Sequence, residues 1–297
     1  MSLMTDTRGT PERVWSLVGL LRAHDGELGP EAIKTWLDPF ATDDTGTAIQ
    51  NTIGAASSLD LIEPDRAAGS VRLVANDLPD TLPGFADWVH GKLVQTPLDH
   101  ANSVVLEAYA WFVATCARER GTTWIERESA DSLTERIRVD LTPEDEEGRF
   151  NKTRYPRWRD WIGLMGLGLA LPIPRGQSFY PTVTARLERE MAALREHFGT
   201  EAEIPAEIFL AALTQRMAYL DGGELFQTAA NRIRWSPPAR QLSIVLSTAL
   251  RDLDDDGVLE LKMYGDAPNA FTLHPDPTHR KRAFIVVRLM PTEDSRG

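Results

Sequence analysis

Residues 151–184 read NKTRYPRWRDWIGLMGLGLALPIPRGQSFYPTVT, and the reading of this stretch decides the fold. Pro156 suits a first helical turn, where its missing N–H leaves no bond unmade. Trp158, Ile162, Met165 and Leu169 follow at three- and four-residue spacing, which predicts one buried helical stripe. Lys152, Arg154, Arg157 and Arg159 fall at or near the helix start, where phosphates and base edges meet a recognition helix. After Gly166 and Gly168 the period shifts to two short extended runs, 169–173 and 178–183, joined through Pro174-Arg175-Gly176-Gln177. The stretch is therefore a basic helix running into a hairpin, whose tip residues Arg175 and Gln177 can reach a groove or a sugar–phosphate backbone.

The same order of elements is expected twice more. Near the start, Thr10-Pro11 reads as a helix cap, and Val14, Leu17, Val18 and Leu21 as an inner face. Short helices over 30–37 and 47–61, then a turn and a strand at 70–74, complete the first segment. Helices over 100–120 and 132–139 precede the basic helix. A charged helix over 184–198 and another over 206–220 follow its hairpin, and Ser236-Pro237 reads as the start of a further helix ahead of extended runs at 258–263 and 270–273. Gly26-Glu27-Leu28 recurs as Gly223-Glu224-Leu225, a hint of internal repetition. Three helices closed by a hairpin resemble the winged-helix superfamily. The expected fold class is mainly α with small β-hairpins (α+β), built of tandem winged-helix-like domains at 1–78, 98–198 and 199–297, with a connector at 79–97.

Charge limits what such a chain can do. Its 44 acidic side chains outnumber 32 Lys and Arg, giving a formal net charge of −12. Duplex binding draws most of its affinity from counterion release by basic residues, so any DNA contact here must be local. The 297 residues, 42% hydrophobic, suffice for several small cores, and no apolar run approaches the roughly 20 residues of a membrane span. Together with the absence of a signal pattern this predicts a cytoplasmic protein with no membrane partner. The single cysteine, Cys116, lies in an apolar helical stretch and reads as a buried, inert thiol.

Candidate sites carry two readings each. The cluster Lys152, Arg154, Arg157, Arg159, Arg175 and Gln177 is either a phosphate-contacting patch with some base contact or a set of arginines covering tryptophan rings and pairing with Asp160 or with the acidic bend at 142–147. In the first segment Gln50, Asn51, Ser57 and Ser58 can face adenine edges or simply a solvated or protein-bound surface, since their helix holds no Lys or Arg. Arg240, Ser243, Ser247 and Arg251 line an outer helical face near Asp252, Asp254, Asp255 and Asp256, whose charge repels DNA. Asp252, Asp254, Asp256 and Gly257 open like a calcium loop, but Met263 stands where a bidentate Glu should close it. Arg280-Lys281-Arg282 serves as a phosphate contact or as a gatekeeper beside a strand. No catalytic, cofactor or metal-ligand motif is present, so no enzyme, cofactor or metal is expected.

LDGGELF at 220–226 and the run Arg-x-x-Arg-Trp-x-x-Trp-Ile-Gly-Leu-Met-Gly-Leu-Gly at 154–168 resemble the DpdG-type accessory proteins. Those belong to bacterial gene clusters that insert 7-deazaguanine bases into DNA or restrict foreign DNA. The resemblance implies a setting of DNA modification and phage defence, with no activity to carry over to particular residues. The expected function is a non-enzymatic adaptor that contacts other subunits of a DNA-processing complex and double-stranded DNA through its middle segment. The alternative is a sequence-specific winged-helix transcriptional regulator.

Overall fold

The computed structural model describes residues 2–4, 9–39, 46–65, 69–141, 149–170, 179–265 and 267–291. Within them the first segment runs α1 (Pro11–Ala23), β1 (Glu27–Leu28), α2 (Pro30–Leu37), α3 (Thr47–Ser58), β2 (Ile62–Asp65) and β3 (Ser70–Leu73). Next come α4 (Leu82–Val94), α5 (Val104–Arg118), α6 (Ala130–Leu141), α7 (Tyr155–Leu164), β4 (Gly168–Ala170) and β5 (Phe179–Pro181). The last segment holds α8 (Thr184–Phe198), β6 (Glu203–Pro205), α9 (Ala206–Arg216), α10 (Glu224–Arg232) and α11 (Ile244–Asp255). It closes with β7 (Leu259–Lys262), β8 (Phe271–Thr272), β9 (Ala283–Phe284) and β10 (Val286–Leu289). The protein is mainly helical with small antiparallel strand pairs, the class expected from sequence.

Contacts divide the chain into two compact units, Met1–Val105 with Glu144–Met165, and Leu106–Pro143 with Gly166–Gly297. This division does not coincide with the three segments read from the sequence. In particular, α7 falls in the first unit and the β4–β5 hairpin in the second.

In the first unit, the Thr10 side chain accepts from the Arg13 N–H at the head of α1, and Val14, Leu17, Val18 and Leu21 are buried. Gly26 adopts a φ of 85° to turn the chain into β1, a conformation that costs a glycine nothing. The sheet order is β1-β3-β2, all antiparallel, with Leu28 opposite Val71 and Ile62 opposite Leu73. The segment anticipated as a connector is a true helix, α4: Thr81 caps it by accepting from the Gly84 N–H, and Phe85, Val89 and Leu93 are buried. Helix α7 buries Tyr155, Trp158, Trp161 and Ile162, with Phe150, Tyr155 and Trp158 forming a ring cluster. Leu169 leaves the expected stripe. The helix has ended at Leu164, Gly166 turns at a φ of 77°, and Leu169 is 52% exposed on β4.

In the second unit α8 packs on α11 and β10: Thr184 donates to Asp252 at 2.7 Å, and the Arg195 Nε–H donates to the Met290 carbonyl at 2.7 Å. The sheet order is β6-β10-β7, again antiparallel, with Val287 opposite both Ile204 and Leu261. The sequence α8–β6–α9–α11–β7–β10 thus repeats α1–β1–α2–α3–β2–β3 in element order and in strand order, with α10 inserted. The Gly-Glu-Leu recurrence does not mark this repeat, because Gly26 turns into β1 whereas Gly223 caps α10. Two further readings need correction. Ser236-Pro237 lies outside helix, since α11 starts eight residues after Ser236 under a Ser243 cap. The last hairpin pairs β7 with β10, and residues 263–285 are an excursion between them carrying its own small hairpin, β8–β9.

Candidate nucleic-acid interface

Four of the six residues expected to contact DNA gather at the head of α7; Arg175 and Gln177 lie outside the described residues. The Asn151 side chain accepts from the Thr153 and Arg154 N–H groups and so starts the helix here. Lys152 is exposed. Arg154 donates to the Arg149 carbonyl at 2.9 Å, and burial lowers its pKa without discharging it. Arg157 pairs with Asp160 at 2.7 Å, yet burial still raises the Asp160 carboxyl above its ordinary value, outweighing the pull of Arg157. Arg159 lies 5.1 Å over the Tyr155 ring, with its Nε buried and unpartnered among the described residues. Arg157 thus takes the expected pairing with Asp160, Arg159 covers a tyrosine ring rather than the expected tryptophan, the acidic bend at 142–147 lies outside the described residues, and Lys152 is held by neither a ring nor Asp160.

Helix α3 has part of its outer side occupied by its own chain. Ala48, Thr52 and Ala55 are buried along with the inward Ile49, Ile53 and Ala56. A Cβ at Gly9 would fall 2.8 Å from the Ala55 Cβ and 2.9 Å from the Asn51 carbonyl, so the Gly9 backbone rests directly on this helix. Trp161 of α7 fixes that contact by donating its indole N–H to the Gly9 carbonyl at 3.3 Å. The Asn102 side chain accepts from the Leu3 N–H at 2.7 Å and donates to the Ser58 carbonyl at 2.8 Å, tying the segment 2–4 to the end of α3. Gln50 stays exposed, and Asn51, Ser57 and Ser58 are half-buried.

The corresponding helix of the second unit, α11, is covered by the excursion. Ser247, fully buried, accepts from the His274 N–H at 2.8 Å, and Arg251, 3% exposed, donates to the His274 and Lys281 carbonyls. Arg240 lies over the Phe271 ring and donates to the Asn269 carbonyl. Ser243 caps α11 and donates its hydroxyl to Asp221 at 2.6 Å, while its N–H meets the other carboxylate oxygen. All four residues expected on an outer face are engaged by protein. The acidic run is likewise dispersed: Asp252 accepts from Thr184, Asp254 from the Leu261 N–H and Lys281, and Asp255 from His279. Asp221 was not legible as important, because its partner lies 22 residues away and the only local signal is a carboxylate in a glycine-rich turn.

That turn explains the LDGGELF stretch. Gly222 has a φ of 85°, and a Cβ at Gly223 would sit 2.2 Å from the Ala218 carbonyl oxygen. Only glycine fits either place.

Architecture and interface together define a mainly helical chain carrying two copies of one helix-and-sheet frame, with the third helix of the second frame covered and that of the first covered in part. Residues 1–267 match the model of the DpdG-like family, and the chain belongs to that family. The family sets it among accessory proteins of the 7-deazaguanine DNA-modification system. No curated protein and no solved structure matches it. Among the described residues no helix is long and apolar enough to cross a membrane.

Proposed function

We propose that this chain is a non-enzymatic adaptor of a cytoplasmic DNA-modification complex, and that both repeated frames are winged helices turned to protein contact. The observation that carries the reading is the covering of α11, together with the Gly9 backbone seated on part of α3. A helix that reads a major groove must present side chains to base edges. Here the polar side chains of α11 are spent on backbone groups of the excursion, and the Gly9 backbone covers part of α3. The net charge of −12 supports the same view, because a free duplex is repelled at long range.

An auxiliary DNA contact at the head of α7 accompanies the adaptor role. It is favoured by Lys152, Arg154, Arg157 and Arg159 standing together, with Asp160 and Glu12 as the carboxylates beside them. Such a patch neutralises about two phosphates, so the logarithm of duplex affinity should fall with the logarithm of salt at a slope of about −2. The test combines two measurements on the full chain. Tagged protein should capture other products of its own gene cluster, and gel shifts on random duplexes should be weak, steeply salt-dependent and lost in Lys152→Gln/Arg157→Gln. Tight, operator-selective binding would overturn the adaptor in favour of a regulator.

A further inference from the structure

Within the second unit a cleft of about 460 Å³ has no part in the adaptor reading. The end of α5, the Asp221 turn, Phe226 of α10, the segment from Trp235 to Ser243 and the excursion at His274 and Pro275 all line it. An adjoining hollow of about 380 Å³ shares Asp221, Phe226, Gln241 and Leu242 with it. Small-ligand sites occupy about 300–1,000 Å³, so the cleft suits a single compact molecule and is too small for a duplex.

Its lining selects the chemistry. Arg118, Arg120 and His274 are basic, and the sole acid is Asp221. Both oxygens of Asp221 are taken by Ser243, and burial raises its carboxyl. Arg118 is fixed by Glu119 at 2.9 and 3.1 Å and by the Ile233 carbonyl at 3.3 Å. The Arg120 side chain is exposed and has no protein partner among the described residues. Arg118 is matched by Glu119, which leaves the exposed Arg120 as the group that would hold an anion in the cleft. Its other wall is aromatic and apolar. Phe226 and Trp235 meet edge to face, centroids 6.4 Å apart at 83°, and Pro237, Pro238 and Leu242 continue the surface. Gln241 adds an amide that both donates and accepts. A flat heteroaromatic ring joined to a phosphate satisfies both walls: the ring on half-buried Trp235, which the buried Phe226 supports edge to face, and the phosphate toward Arg120.

We propose that this cleft binds one phosphorylated nucleotide, either free in solution or at the 5′ end of a DNA strand. The proposal rests on the cleft alone and stands whether or not the chain is an adaptor. Calorimetric titration of the full chain tests it with adenosine and guanosine 5′-monophosphates, the unphosphorylated nucleosides, inorganic phosphate, and a 5′-phosphorylated single-stranded oligonucleotide. A monophosphate or the oligonucleotide should bind with a Kd below about 1 mM, at least about tenfold tighter than nucleoside or phosphate alone. Arg120→Gln and Trp235→Leu should each weaken binding about tenfold or more, whereas Lys92→Gln, outside the cleft, should not. Binding of the oligonucleotide without the free nucleotides identifies a strand end as the source; the converse identifies a free nucleotide. Failure of both, equal affinity for inorganic phosphate, or unchanged affinity in both cleft variants overturns the proposal. Arg120 is exposed at a helix end, so its variant keeps the test valid if Trp235→Leu fails to fold.

Discussion

Ser247→Ala is the sharpest perturbation of the covering segment on α11. The hydroxyl is fully buried and accepts from the His274 N–H at 2.8 Å, which makes it a direct bond between helix and excursion. Alanine removes only the oxygen, so the void is small, and it raises intrinsic helix propensity by about 0.5 kcal/mol. The opposing effect is larger. The His274 N–H is left without its acceptor, at a cost of about 1–3 kcal/mol. The loss should win by about 1–2 kcal/mol, and it falls on the attachment rather than on the rest of the unit. Leu273 and Phe284, both buried, and the two Arg251 bonds still hold the excursion down, so it stays closed in most molecules. In native-state hydrogen exchange the amides of 271–284 should therefore exchange roughly tenfold faster, while those of α8 and β10 keep their rates. Duplex affinity should not change. Equal acceleration in the excursion, α8 and β10 would show one opening unit with no separable cover; no acceleration would show that the bond contributes nothing. Either result refutes the argument.

His279 joins Asp255 and Asp276, hydrogen bonds to which raise its pKa above 6.5, with Asp255 the larger cause. A raised pKa in the folded state gives stabilisation that is complete below 6.5 and fades as pH climbs through the folded value. Tryptic cleavage within 280–282, compared with His279→Gln at each pH, should be slower in the parent chain at about pH 6, with the difference shrinking as pH rises through the raised folded value; a constant ratio would contradict the assignment. Gly9→Val should force the chain off α3 and cost about 1–3 kcal/mol, lowering Tm by several degrees in thermal denaturation. Burial pushes the Cys116 thiol up to about 12, so a thiol-specific reagent should label it only at the rate of unfolding, and prompt labelling of the native chain would be decisive against this.

Features set by neighbours a few residues apart were legible. Thr10 and Pro11 mark the head of α1, and its buried face follows the three-and-four spacing. The burial of Cys116 follows from its apolar surroundings. What failed were features whose partners are distant. Ser236-Pro237 has the local chemistry of a cap, but Asp221 holds Ser243 instead and so moves the start of α11. The extended runs at 258–263 and 270–273 are adjacent in sequence, yet β7 pairs with β10, since each strand buries one side of a sheet that β6 completes. At the head of α7 the four cations were plain, and so was the local carboxylate Asp160, but which arginine it would pair with was not.

The covered helix α11 explains why residue type alone misleads about a DNA-reading surface. Arginine and serine are favoured at base edges because they carry directional donors and acceptors. Backbone carbonyls and N–H groups of a neighbouring segment offer the same partners, and a buried backbone group must find one. Arg251 and Ser247 satisfy three such groups of the excursion, so their chemistry would read the same whether the partner were a duplex or the chain itself. The deciding quantity is exposure: Arg251 is 3% exposed, and no base edge can reach it while the excursion stays in place. A helix can therefore carry the residue types of a groove reader and spend them on its own fold, as α11 does.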